Sequence, residues 1–490
     1  MPKSRLRSSI SIDEVDSIQA TREKIDIETV TVNNRLVKRP KFLRTQISPG
    51  FRAVGSIETD EVEYDTYVKW VVTKAVQPTT WAKAYGGTST DKAWGVAVAD
   101  NGDIVVAGST NSFGAGNDVW VLRLDAFGNV VWQKAYGGSG GDIARGITTT
   151  SSGDIIVVGK TMSFGDWIAD AWVLRLDADG NVKWQRAFGG VGAGDEAIAV
   201  AESDGDIIVV GHTYSFGAGS SDVLVVKLDE NGNILWQRAY GGSGFDEAWG
   251  VAVADNGDII VVGYSESFGS GIYDVWVLRL DGSGNIIWQK AYGEAGADFA
   301  HDVAVADNGD IVVVGQTSGS LLVLRLDGQG NVKWQKAYSG ASDDLAYGVV
   351  IADNGDIIVA GRSNSFGNSS DYIWVLRLDE NGNIVWQKAY GGTSDDLAYG
   401  VALAGNGDII VAGETESFGV RMGTSDFIVL RLDEDGNLPV SELSVMDTNA
   451  TVAPASCNVV DTNCTITDIN LIVTDTDCTV TETDCVVTEL

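Results

Sequence analysis

An aspartate recurs once in each of seven similar segments of the chain, always just before a short run rich in Gly and Ala. A basic residue recurs with the same period inside an apolar segment. The carboxylates could cap backbone turns or pair with the bases, or they could together bind a cation or a basic ligand. The aspartates are Asp91, Asp142, Asp195, Asp246, Asp298, Asp344 and Asp396, and the bases are Arg123, Arg175, Lys227, Arg279, Arg325, Arg377 and Arg431.

Catalytic chemistry is not indicated by this pattern, because seven equivalent positions do not easily make one asymmetric centre. The two histidines, His212 and His301, lie in different repeats, so a His-based triad or zinc site is not expected. Residues 177–181 and 433–437 resemble fragments of a calcium loop, but hairpin-turn chemistry explains them without a metal. Residues 137–141 match a nucleophile elbow by letters only. We therefore expect no catalytic residue, metal or cofactor.

The elements that carry these residues are repeats built around Trp-Gln-Lys-Ala-Tyr-Gly-Gly or a close variant. Successive copies start 46 to 52 residues apart, a period typical of radial or stacked arrays. Each repeat contains four strand-like segments, and an Asn-Gly turn joins two of them in most repeats, which is a strong hairpin signal. The copies start at Trp81, Trp132, Trp184, Trp236, Trp288, Trp334 and Trp386.

Four antiparallel strands in each of seven repeats predict an all-β fold, a seven-bladed β-propeller over residues 81–437. The small-residue strand should lie nearest the axis and the Trp strand outermost. In the seventh repeat Leu438 and Pro439 replace the Trp strand, and proline cannot donate to a central ladder. We therefore expect residues 81–87 to complete the last blade and close the ring. The seven aspartates would then surround one mouth of the axial channel.

The repeat pattern, which also includes Asn-Gly-Asp-Ile-Ile-Val-Val-Gly, Ser-Phe-Gly and Asp-x-Trp-Val-Leu-Arg-Leu-Asp, resembles the tandem β-propeller repeats of secreted or surface proteins of bacteria and archaea. The resemblance covers residues 81–437. It implies a propeller and an extracellular or cell-surface location, but no particular activity, because one fold hosts many functions. The first residues depart from it, since no apolar core follows the early bases as in a secretory signal.

Residues 1–80 form an N-terminal extension with strand-like alternation and a basic run that contains no acid. The run is either a solvated linker or an arm that docks on an acidic protein surface. Its bases, the candidate assembly contacts, are Arg35, Lys38, Arg39, Lys41, Arg44 and Arg52.

Residues 438–490 form a tail with nine acids, no base and a seven-residue rhythm. Its Thr and Val content predicts β structure, and its length requires the tail to bend or to pair along another surface. Disulfides between positions 457 and 464 and between 478 and 485 are one possibility; free thiols and links between chains are others. The four cysteines of the protein all lie here, and they are Cys457, Cys464, Cys478 and Cys485.

A net charge of −34 argues against nucleic acid and anionic membranes as partners, and no apolar run is long enough to span a membrane. The favoured hypothesis is a non-enzymatic structural protein, whose subunits join through their terminal extensions by strand addition into a homo-oligomer or extracellular filament. The alternative is a monomeric module that binds glycan or protein on one propeller face, through Ser-Phe-Gly loops expected to be exposed. Irregular loops at residues 316–320 and 417–426 are candidate contact sites.

Overall fold

The computed structural model describes residues 80–438, except 166–167, 341, 367–369, 420 and 422, together with the backbone of short strands in both terminal extensions. The chain divides into two compact units, Met1–Gln77 and Pro78–Leu490. No helix in these described parts is long and apolar enough to cross a membrane. The first unit contains two antiparallel hairpins, formed by β1 (Ile27–Val32) with β2 (Arg35–Pro40) and by β3 (Phe51–Glu58) with β4 (Tyr67–Lys74).

The second unit is a seven-bladed propeller, and each repeat supplies antiparallel strands to one blade, as predicted. A first strand, β5 (Trp81–Gly86), precedes the blades, which we number in chain order. Blade 1 contains β6 (Asp91–Val98), β7 (Ile104–Thr110), β8 (Asp118–Leu124) and β9 (Val130–Gly137), and blade 2 contains β10 (Asp142–Thr149), β11 (Ile155–Thr161), β12 (Asp170–Leu176) and β13 (Val182–Gly189). Blade 3 contains β14 (Asp195–Ser203), β15 (Asp206–Thr213), β16 (Asp222–Leu228) and β17 (Ile234–Gly241).

The remaining blades repeat this order. Blade 4 contains β18 (Asp246–Val253), β19 (Ile259–Ser265), β20 (Asp274–Leu280) and β21 (Ile286–Gly293), and blade 5 contains β22 (Asp298–Val305), β23 (Ile311–Thr317), β24 (Ser320–Leu326) and β25 (Val332–Ser339). Blade 6 contains β26 (Asp344–Ile351), β27 (Ile357–Ser363), β28 (Tyr372–Leu378) and β29 (Ile384–Gly391), and blade 7 contains β30 (Asp396–Leu403), β31 (Ile409–Thr415) and β32 (Asp426–Leu432).

The ring closes through β5, which supplies the fourth strand of blade 7. It pairs antiparallel with β32, from Trp81 opposite Arg431 to Tyr85 opposite Phe427. The prediction of closure by an N-terminal strand is therefore confirmed.

The core lies between blades and not within any one of them. The apolar second and third strands are almost wholly buried, because each blade packs a neighbour on both faces. Large indole rings fill the interface in several blades, as Trp120 and Trp172 do with no exposed surface. Nearer the axis the space narrows, and buried alanines such as Ala93 and Ala144 replace them.

The tail adds a fifth strand to every blade, and these seven tail strands circle the ring against the blade order. Each pairs antiparallel with the Trp strand, so the Trp strand is not the outermost element of the blade as we expected. The sequence-based hypothesis placed these edges against a neighbouring subunit, whereas in the structure their partners belong to the same chain. The pairs are β33 (Ser444–Asp447) with β29, β34 (Thr451–Pro454) with β25, β35 (Asn458–Asp461) with β21, β36 (Thr465–Asp468) with β17, β37 (Ile472–Asp475) with β13, β38 (Thr479–Glu482) with β9 and β39 (Val486–Glu489) with β5.

This arrangement explains the seven-residue rhythm of the tail. Each unit contributes a four-residue strand, and the strand of the next unit begins seven residues further on, beside the next blade. Seven extended residues reach at most about 25 Å, which limits each unit to one step around the circumference.

Candidate functional site at the axial mouth

The seven predicted aspartates are buried at the start of each innermost strand, where they hold loops together and do not form an open acidic ring. Asp91 accepts hydrogen bonds from Thr110 Oγ1 (2.5 Å), Ser112 Oγ (2.8 Å) and the Gly87 amide (2.9 Å). Burial raises the pKa of Asp91, although these hydrogen bonds oppose the shift. The same constellation recurs around Asp142 and Asp396, although some distances are shorter. It explains why Tyr-Gly-Gly and Ser-Phe-Gly recur together, and we call the face that carries them the loop face.

The recurring bases pair with different carboxylates, at the hairpin turns on the opposite face. Arg123 Nε donates to Asp103 Oδ2 (2.8 Å), and its Nη1 donates to the Ala178 carbonyl of the next blade (2.6 Å). The indole of Trp132 donates to that same carbonyl (2.9 Å). Equivalent contacts, with Lys227 in blade 3, link neighbouring blades around the ring, so these bases have a structural role.

Other predicted positions are less informative. The turn at residues 177–181 is a hairpin in which Asp177 accepts the amides of Asp179 and Asn181, without need of a metal. Among the described residues no group of three or more His, Cys, Asp or Glu side chains could hold a metal ion. Of the basic arm, Arg35, Lys38 and Arg39 lie on β2 and Arg52 lies on β3, where only the backbone is described. The residues outside the described parts are Lys41, Arg44, Cys457, Cys464, Cys478 and Cys485.

The Ser-Phe-Gly loops do not present exposed rings, contrary to expectation. Phe113 packs on the buried Trp120 at 5.1 Å between ring centroids, and Phe164 packs on Trp172 at 5.5 Å. These phenylalanines are half-buried and belong to the core between blades. The shortened loop of blade 5 is a tight turn through Ser318 and Gly319, both with positive φ.

The sequence analysis missed a second recurring feature, a β-bulge in every innermost strand. In β6 the register shifts between Ala93 and Gly95, so that Trp94 has no partner in β7. Bulges re-aim a side chain, and the seven bulged residues form a ring around the axis in which the chemistry differs from blade to blade. They are Trp94, Arg145, Ile198, Trp249, His301, Tyr347 and Tyr399, and all are half-buried.

Six of these bulged side chains form a continuous series of contacts from blade 4 through blade 7 to blade 2. The ring centroids are separated by 5.5 Å for Trp249 and His301, 5.0 Å for His301 and Tyr347, and 5.1 Å for Tyr347 and Tyr399. Tyr399 lies 4.4 Å from Trp94. The guanidinium of Arg145 lies 4.5 Å above the Trp94 ring, a favourable cation–π geometry. We call this series the axial aromatic ring.

A layer of charged side chains surrounds the axial aromatic ring and is largely neutralised within itself. Glu196 accepts Arg145 Nε (2.6 Å) and Lys160 Nζ (3.0 Å). Burial would raise the pKa of Glu196, but the charges of these two bases outweigh it and hold the pKa below its usual value. Glu414 accepts Lys92 Nζ (2.8 Å) and the Tyr399 hydroxyl (2.7 Å).

Further around this layer, Arg362 pairs with Asp371 at 2.5 Å. Glu247 lies 3.8 Å from His212 Nδ1 and 3.5 Å from the Tyr214 hydroxyl. Because most acids of the layer face a nearby base, the described part of the mouth offers mainly polar and aromatic contacts.

Blade 5 adds two titratable residues at the bulge. His301 Nδ1 donates to the Ala346 carbonyl (2.7 Å), and burial lowers the pKa of His301, so the neutral ring presents Nε2 as an acceptor. Asp302 stands where the other blades have Gly or Ala, and accepts the amides of Val303 (2.8 Å) and Val349 (2.9 Å). Burial raises the pKa of Asp302 to about 7, against the effect of these two amides.

Two indole donors in the axial aromatic ring lack acceptors. The Nε1 atoms of Trp94 and Trp249 are buried, and neither has a hydrogen-bond partner among the described residues. A buried donor without an acceptor costs about 1–3 kcal/mol, so a ligand that offers acceptors here gains that energy. The geometry therefore suits a ligand with carbonyl oxygens and apolar groups, such as a polypeptide loop.

The repeats are similar in sequence to a protein family and to one curated protein. A family model described as outer membrane protein assembly factor BamB matches residues 169–372 and, in a second overlapping match, residues 273–436. The regulatory protein FlaEY of Caulobacter vibrioides is 26% identical over 323 residues, which is 59% of this chain and 32% of that protein. The chain thus spans about a third of the length of this relative.

Two solved structures are similar to this chain at low sequence identity. Sqt1 from Chaetomium thermophilum is 13% identical with a TM-score of 0.42, and the match covers 71% of this chain and 98% of that one. A puromycin hydrolase is 12% identical with a TM-score of 0.42, over 74% of this chain and 54% of that one.

Proposed function

The chain belongs to the family described as outer membrane protein assembly factor BamB, and from this premise we propose that it is a non-enzymatic protein-interaction module. Its partner inserts a loop into the axial mouth on the loop face. The observation that carries this proposal is the axial aromatic ring, where Trp94 and Trp249 hold unpartnered indole donors. We further propose that the protein works at the cell surface or outside the cell, which fractionation of the native host would test.

The tail supports a site on a propeller face. Every blade has its outer edge covered by a tail strand, so backbone pairing at these edges is already satisfied within the chain. A partner that binds a propeller face does not have to displace these strands. The bulged positions of the innermost strands differ in chemistry from blade to blade, and this asymmetry lets one partner be recognised in one orientation.

Selection of peptides from a random display library against the immobilised full chain tests this proposal. Trp94→Phe keeps an aromatic ring and removes the donor, and we expect it to weaken the selected peptides about 2- to 12-fold, the worth of one hydrogen bond. Trp94→Ala should abolish binding. The matched control is Trp236→Phe on β17, whose indole donates to the Gly282 carbonyl; it should leave binding unchanged. Peptides that bind the wild type and all three variants equally would refute an axial site.

Assembly through the terminal extensions is a second candidate function. The observation in its favour is the repeated tail register, because a pairing that forms between a tail and its own blades also fits between two copies. It predicts a homo-oligomer or filament in which tails are exchanged. Light scattering at micromolar concentration should then give a mass well above the 51.8 kDa of one chain. A monomer at all concentrations would reject the assembly and leave the axial proposal intact.

A further inference from the structure

Two positions of the tail strands, the second and the fourth, are matched to the residues opposite them in the blades, and we call this the pairing rule. The second residue of every tail strand is Val or Ile, and it lies directly opposite the aromatic residue of the Trp-x-x-x-Tyr segment. β-branched residues opposite aromatic residues are favourable cross-strand neighbours. The pairs are Val445 with Tyr390, Val452 with Tyr338, Val459 with Tyr292, Ile466 with Tyr240, Val473 with Phe188, Val480 with Tyr136 and Val487 with Tyr85.

The fourth residue of six tail strands is an acid, and it lies directly opposite a Lys or Arg of the blade. Opposite charges at directly opposed positions stabilise an antiparallel pair, and a slip by one residue would lose all of these pairs at once. The acidic composition of the tail therefore sets its register on the ring. The pairs are Asp447 with Lys388, Asp461 with Lys290, Asp468 with Arg238, Asp475 with Arg186, Glu482 with Lys134 and Glu489 with Lys83.

Blade 5 departs from the pairing rule in its tail strand, and its own strand β25 also differs from the other blades. Pro454 stands opposite Lys336, where the other tail strands have an acid, and Ser339 replaces the glycine at the other end of the blade strand. Lys336 itself is placed like the lysine of blade 6. Its Nζ donates to Asn381 O (2.7 Å) and Asn383 Oδ1 (3.1 Å), as Lys388 Nζ donates to Asp435 O and Asn437 Oδ1, both at 2.8 Å.

We infer that the outer edge of blade 5, residues 332–339, is a docking surface for an extended acidic strand of a partner protein, which displaces the tail strand at residues 451–454. The strand that fits has a β-branched residue opposite Tyr338 and an acid two residues later, opposite Lys336. Six of the seven tail units have this pattern, and the unit on blade 5 does not. The partner therefore gains a charge pair that the resident strand lacks, and its backbone replaces that of a strand whose Pro454 has no amide to donate.

Hydrogen exchange on the full chain tests whether the tail strand at residues 451–454 is held less firmly than the other tail strands. The amides of residues 451–453 should exchange about 1.4- to 5-fold faster than those of other tail strands, the factor that one cross-strand charge pair supplies. Lys388→Glu should speed exchange in residues 444–447, whereas the matched variant Lys336→Glu should not change residues 451–454. Pro454→Asp should slow exchange in residues 451–453 more than Pro454→Asn does, since Asn restores the backbone amide without the charge. Equal exchange in all tail strands, or equal responses to the two lysine variants, would overturn the inference.

A peptide probe tests the docking itself. A synthetic peptide with the sequence of residues 479–490 and a photoreactive group should crosslink to residues 332–339 of the full chain, and the same peptide with both Glu482 and Glu489 changed to Lys should not. Pro454→Asp should reduce this crosslinking, and Trp94→Phe, which alters the axial mouth, should leave it unchanged. Crosslinks spread evenly over all blades, or insensitive to position 454, would contradict a blade 5 site. Crosslinks between intact chains would identify a second copy as the partner.

Discussion

At the scale of single residues, the propeller keeps its symmetry where residues hold blades together and loses it around the axis. The buried aspartates and the Arg–Asp pairs recur because every blade junction needs the same contacts. The bulged positions take no part in these contacts, and their residue types differ from blade to blade. Asp302 is the extreme case, a carboxyl group in the position of a glycine, with two backbone amides as its partners.

Asp302 should make stability depend on pH near neutrality. Its pKa is raised to about 7 in the folded protein, so its favourable contribution is complete at low pH and is lost as the pH rises through that value. We expect the free energy of unfolding to fall by about 1.4 kcal/mol between pH 6 and pH 8 from this group. Asp302→Asn should remove this part of the decline in chemical denaturation, whereas Asp307→Asn, at an exposed turn of the same blade, should not. Parallel pH profiles for wild type and Asp302→Asn would show that the carboxyl group is ionised throughout.

At the scale of elements, one glycine in each second strand makes the bulge possible. A Cβ atom at Gly263 would lie 1.9 Å from the carbonyl oxygen of Glu247 and 2.9 Å from the Cα of Ala248, both in the backbone of the innermost strand. That strand cannot move away because it packs against the innermost strands on either side.

Gly263→Ala should therefore lower the free energy of unfolding by about 3 kcal/mol or more, because backbone atoms must shift to accept the methyl group. Gly405→Ala is the matched control: it lies in an exposed turn with open space around it and no positive φ, and it should change stability by less than about 0.5 kcal/mol. Urea unfolding of both variants measures the difference. A loss at Gly263 as small as that at Gly405 would mean that the two strands are not in close contact.

The elements also show what a sequence pattern can and cannot reveal. Blade number, strand order and closure by β5 were predictable, because a strict period and the break at Pro439 are visible in the letters. The bulge was not, since one extra residue between Ala93 and Gly95 leaves no mark in an alternation pattern. The tail was predicted to be periodic, but no cysteine precedes the units of Val445 and Val452 as one precedes four of the later units, so the match of seven tail strands to seven blades stayed hidden.

At the scale of the whole molecule, both ends of the propeller unit meet in blade 7. β5 closes the ring against β32, and the last tail strand, β39, pairs with the other edge of β5. The closing strand is thus a central strand, with Ala84 opposite Ile428 on one side and Thr488 on the other. An N-terminal strand held on one side alone would be the weakest joint of the ring, and the tail covers it.

Ala84→Pro tests this joint, because proline removes a ladder amide from a central strand and costs about 3 kcal/mol or more. The matched variant is Ala389→Pro, at the same position in blade 6, where the strand is continuous with the rest of its own blade. Both variants should lose stability, but they should differ in where the ring opens. In hydrogen exchange, Ala84→Pro should lose protection first in blades 7 and 1, on the two sides of the closure.

Ala389→Pro should instead lose protection in blade 6 and in the tail strand at residues 444–447. Strand β5 should stay protected, because blade 6 is still covalently connected to the blades on either side of it. The contrast depends on the physical difference between the two joints: blade 6 is covalently continuous, and blade 7 is joined to β5 only through hydrogen bonds and packing. Identical exchange patterns in the two variants would show that ring closure through β5 is no weaker than a covalent blade.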